Sequence, residues 1–169
     1  DLDKVGIFMS QTGGGCRASN YVSLLRKALK DMGMEQIPVI SVNMAGLEKN
    51  PGFGFSLGVI KRGLMAIMYG DLFMRVLYAT RPYEKEPGSA NRLYKKCCRE
   101  ADEIISRGSM MAFSRSMEKI VREFDQLPLL DIKKPRVGIV GEILVKYHPN
   151  ANNDVVSIVE SEGGEAVVL

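Results

Sequence analysis

The sequence predicts an α/β fold: parallel-sheet lobes of the Rossmann or flavodoxin-like type, with a long helical segment between them. Two observations carry this. A strand–helix–strand pattern fills residues 5–42, and a second βα pattern starts at Arg136. Between them the apolar residues keep a helical period.

Val5-Gly6-Ile7-Phe8-Met9 is a short apolar run, bounded by Ser10-Gln11-Thr12 and three glycines, and suits a buried strand over 5–9. Tyr21, Leu24, Leu25, Ala28, Leu29 and Met32 then share one face of a helix over 20–32. Ser19 is its candidate N-cap, and Gly33 suits the residue just past its end. Pro38 to Val42 reads as the next strand, with proline at its first position, where a missing N–H is tolerated. Such a βαβ unit is right-handed with parallel strands.

Asn50 to Gly54 reads as a loop. Leu57, Ile60, Leu64, Ile67 and Met68 then share a helix face. Leu93, Cys97, Ala101, Ile104 and Ile105 form a second face, and Met117, Ile120, Val121, Phe124 and Leu127 a third. Breaks are expected near Gly70-Asp71, from Pro82 to Gly88, and at Arg107-Gly108. Leu127 to Pro135 reads as a linker, which places two lobes at 1–134 and 135–169. In the second, Arg136 to Val140 is a strand and Gly141 to Asn152 a long loop. Asn153 caps a helix carrying Val155, Ile158 and Val159, and Gly163-Gly164 stops it. The chain starts just before one strand and stops inside another, so it reads as an incomplete second lobe cut from a longer protein.

Composition is that of a globular domain, with 46% apolar and 25% charged residues. The net charge of +3 is weak and no dense basic run occurs, which argues against nucleic acid as a partner. Lys61, Arg62, Asp71 and Arg75 interrupt the most apolar stretch, which argues against a membrane span. Cys16, Cys97 and Cys98 make an odd, low count, and no signal peptide is visible at residue 1. Both point to a cytoplasmic protein without disulfides.

The segment Gln11-Thr12-Gly13-Gly14-Gly15-Cys16-Arg17 joins strand to helix, at the carboxyl end of a strand, where open α/β sheets bind ligands. Gly13, Gly14, Gly15, Arg17, Ser19 and Asn20 are the candidate binding residues, because glycines and first-turn amides let a ligand approach the backbone. A dinucleotide or anion site is one reading. Gly13 to Ala18 fits a loose G-x-G-x-x-A pattern, but Asn43 or Met44 stands where an acid should hold the ribose. A Walker A loop is excluded, since no Gly-Lys-Ser/Thr follows. A reactive or metal-binding Cys16 is a second reading, favoured by the helix start and Arg17. A tight turn with an incidental thiol is the third. Cys97 and Cys98 read as helix-packing residues. His148 reads as a surface residue and Glu142/Lys146 as a solvated loop pair. Met65, Met68, Met74, Met110 and Met111 suit core gaps better than a binding groove.

Met9-Ser10-Gln11-Thr12-Gly13-Gly14-Gly15-Cys16-Arg17-Ala18-Ser19-Asn20-Tyr21 followed by Leu24 to Leu29 resembles the acyl-CoA dehydratase activase-related proteins of the 2-hydroxyacyl-CoA dehydratase and activator superfamily. Pro38 to Ser41, Leu47 to Phe53, Tyr69 to Leu72, Thr80 to Tyr83 and Pro135 to Glu142 extend the resemblance over essentially the whole chain. The resemblance implies the dehydratase-subunit-like region of a larger protein. It implies a [4Fe-4S] cluster between α/β lobes, with Cys16 as a metal ligand and the other ligands outside this chain. It further implies an ATP-dependent activator module as partner, a CoA thioester as substrate class, and an isolated fragment that is inactive. The readings from other classes are a noncatalytic interaction scaffold and a dinucleotide- or anion-binding module.

Overall fold

A computed structural model describes residues 4–11, 15–43 and 56–168. The chain is α/β, with short two-stranded parallel sheets and a large helical fraction. It divides into two compact units, Asp1–Gly54 and Phe55–Leu169. The strand pair that follows the linker therefore belongs to the same compact unit as the helical tract.

In the first unit, β1 (Ile7–Gln11) pairs in parallel with β2 (Val39–Asn43), and Ile7 stands opposite Val39. Both strands run later than the residue patterns predict, because β1 extends through polar Ser10 and Gln11. Helix α1 (Tyr21–Asp31) crosses between them. Its buried residues are Val22 and Leu29; Leu25 is half-buried against the same cluster, with Ile37 and Val39. Leu24 and Met32, expected on that face, are exposed. Gly33 adopts φ 68°, the left-handed conformation that ends a helix cheaply only at glycine.

In the second unit, α2 (Leu57–Thr80) runs unbroken through Gly70, so the break expected there is absent. A glycine inside a helix costs only about 1 kcal/mol, which the packing on either side offsets. Ser56 caps it by accepting the Val59 amide at 3.2 Å. The apolar stripe Leu57, Ile60, Leu64, Ile67 and Met68 exists, but it faces outward. The buried face is Met65, Tyr69, Phe73 and Leu77. The helix is apolar nearly all round, so periodicity alone could not choose the packed side.

Helices α3 (Ser89–Arg107) and α4 (Met110–Asp125) pack against that inner face with Ala90, Cys97, Ala101, Phe113, Ile120 and Phe124. The Tyr69 ring meets Phe113 edge-on at 4.9 Å, and its hydroxyl bonds Ser116. Burial pushes the Tyr69 hydroxyl pKa up. The breaks at Pro82 to Gly88 and at Gly108 are present. Glu84 caps α3 from outside the helix, accepting the Ala90 amide at 2.9 Å. Gly108, at φ 67°, ends it.

After the irregular segment 126–135, β3 (Arg136–Ile139) pairs in parallel with β4 (Glu165–Val168). The expected long loop between them holds two short elements: α5 (Ile143–Tyr147) and a single 3-10 turn at Pro149–Ala151. Glu142 is the N-cap of α5, accepting the Leu144 and Val145 amides at 2.9 and 3.1 Å, so it stands at a helix start within the expected loop. Helix α6 (Val155–Ser161) follows. Its cap is Asn152, whose side-chain oxygen accepts the Val155 amide at 3.3 Å, and not Asn153. Asn153 and Asp154 both take positive φ, 56° and 54°. Among the described residues, no helix is long and apolar enough to cross a membrane.

Candidate functional site

The carboxyl end of β1 carries the predicted loop. Gly13 and Gly14 lie outside the described residues. Gly15 is exposed, and a Cβ there would meet nothing within 4 Å, so no steric demand for glycine acts at this position. Cys16 is extended (φ −77°, ψ 146°) and its thiol is exposed. It does not point under the helix into apolar core.

The chain then turns through one 3-10 turn, Arg17–Asn20. The Ser19 amide donates to the Cys16 carbonyl at 3.1 Å and starts that turn. Ala18 is buried beneath it, and the Gln11 side-chain amide donates to the Ser19 carbonyl at 3.1 Å. These two contacts clip the turn to the last residue of β1. Ser19 therefore sits inside the turn and is not the cap of α1. Asn20 stands at the cap position without a side-chain hydrogen bond, and Cys16 precedes the 3-10 turn in the same way. Neither cap residue thus accepts a hydrogen bond with its side chain from the turn that follows it. Arg17 and Asn20 are exposed, and Ser19 is half-buried. The structure therefore brings Gly15, Cys16, Arg17, Ser19 and Asn20 together at one sheet end. An exposed thiol at a helix start is the setting in which a thiolate acts as nucleophile or metal ligand.

The other two cysteines have different surroundings. Cys97 is 1% exposed, and its thiol donates to Glu123 at 3.7 Å. Burial first, and the Glu123 carboxylate second, push the thiol up to about 11, so it stays protonated and is a poor ligand. Lys96 bonds Glu123 at 3.0 Å, and Lys119 bonds Glu100 at 2.6 Å. Despite its partial burial, the Glu123 carboxyl is held below its ordinary value by Lys96 and Lys119. Cys98 is half-buried beside Tyr94, whose hydroxyl pKa it raises. His148 is exposed, as expected. Among the described residues, no group of three His, Cys, Asp or Glu side chains is placed to hold a metal ion.

Sequence reasoning missed the polar network that ties the second βα pair to the helices. Arg81 forks onto Glu160 with bonds of 2.7 and 2.8 Å. Glu165 accepts from the Tyr83 hydroxyl at 2.8 Å and from Arg136 at 3.0 Å, and its bond raises the Tyr83 pKa. Arg81 and Glu160 lie 79 residues apart, Tyr83 and Glu165 82, and Arg136 and Glu165 29, so no local spacing could signal them.

No family model, curated protein or solved structure matches the chain.

Proposed function

We propose that the chain is part of a cytoplasmic iron–sulfur electron-transfer or reductase component of the 2-hydroxyacyl-CoA dehydratase type. In this reading its βα units belong to Rossmann- or flavodoxin-like lobes, it works with an ATP-driven activator, and its substrate is a CoA thioester. The observation that supports the reading is the exposed Cys16 at the carboxyl end of β1, directly before the first helical turn. In an iron–sulfur site a cysteine must reach outward from the scaffold while backbone N–H groups lie near the sulfides.

The described residues alone do not make a complete cluster site. Cys16 offers one thiolate, Cys97 is sealed and protonated, and no three-ligand group stands among the described residues. A [4Fe-4S] cluster takes four cysteine ligands in most proteins, so the remaining ligands belong to polypeptide outside this segment. What the chain itself supplies is the rigid turn, fixed by Gln11 and Ala18, that holds the thiol outward.

The test is iron and acid-labile sulfide analysis of the full-length protein prepared without oxygen. The reading expects both in the wild-type protein, and loss of iron in Cys16→Ser with an unchanged far-UV circular dichroism spectrum. A wild-type protein free of iron and sulfide supports the interaction-scaffold reading instead. A Cys16→Ser protein that keeps its iron removes the ligand assignment.

A further inference from the structure

We draw no further inference here: the strongest candidate, the exposed apolar stripe of Leu57, Ile60, Leu64 and Ile67 on the outer face of α2, carries none because nothing in the structure shows what covers it.

Discussion

The two βα pairs use the same topology and are held together by different forces. β1 and β2 are joined by α1, 11 residues long, whose stripe seals Val22, Leu29, Ile37 and Val39 into one cluster. β3 and β4 are joined through α5 and α6, only 5 and 7 residues long, over a core of Ile139, Val156 and Ala166. Helices that short have little stability of their own. The second pair is instead tied to the helical tract by Arg81–Glu160 and by Tyr83 and Arg136 on Glu165. A helix long enough to carry a stripe is held by apolar burial. A shorter one borrows ionic contacts from distant sequence.

Breaking the apolar pair should give the largest effect. Leu29→Ala should destabilise the first unit by about 2–5 kcal/mol, as for other buried leucines. Leu25→Ala should cost less than Leu29→Ala, because Leu25 is half-buried. Denaturant titration followed by exchange of the α1 amides measures both, and equal losses would contradict the assigned burial.

Breaking the ionic pair comes next. Arg81→Met leaves the Glu160 carboxylate, 14% exposed, without its fork. Removing one partner of a fully buried pair costs about 3–5 kcal/mol, and the partial exposure here lowers that to about 1–3 kcal/mol. Hydrogen exchange should show the loss in α6 and β4 and leave the centre of α3 unchanged. Uniform loss over the second unit would mean that Arg81 supports the helical core instead.

A smaller contrast is readable from pH. Cys97 ionises at about 9 when unfolded and about 11 when folded, so the folded state holds its proton more tightly. Its contribution is complete below pH 9 and is lost as pH rises to about 11. The stability of wild type should therefore fall further over that window than that of Cys97→Ala. Comparing urea midpoints of the two proteins removes the shared titration of the tyrosines. Parallel curves would mean that Cys97 is not sealed. The smallest effect belongs to Lys27→Ala. It removes an exposed pair with Asp31 at 2.6 Å and should change the stability of α1 by about 0.5 kcal/mol or less. A larger loss in thermal melts would show that α1 rests on charge as well as on burial.

The same comparison shows what was legible in the sequence. The first βαβ unit follows from the stripe of α1 and the stop at Gly33, because local periodicity and a left-handed glycine are both written in adjacent residues. The packed face of α2 was not legible, since Leu57, Ile60 and Leu64 are as apolar as Met65, Tyr69 and Phe73. Nor were the caps Glu84 and Asn152, which act through loops whose course depends on tertiary packing. At the candidate site the position of Cys16 at the end of β1 was readable from the strand–loop–helix order. The clip from Gln11 to Ser19, which fixes that turn, was not.

The most direct measurement is differential alkylation of the full-length protein by iodoacetamide, read by mass spectrometry, with and without prior removal of iron by a chelator under anaerobic conditions. The account predicts that Cys16 is shielded in the iron-loaded protein and labelled rapidly once iron is removed, while Cys97 stays unlabelled in both until the chain is unfolded. Labelling of Cys16 at the same rate in both states would contradict its role as a cluster ligand.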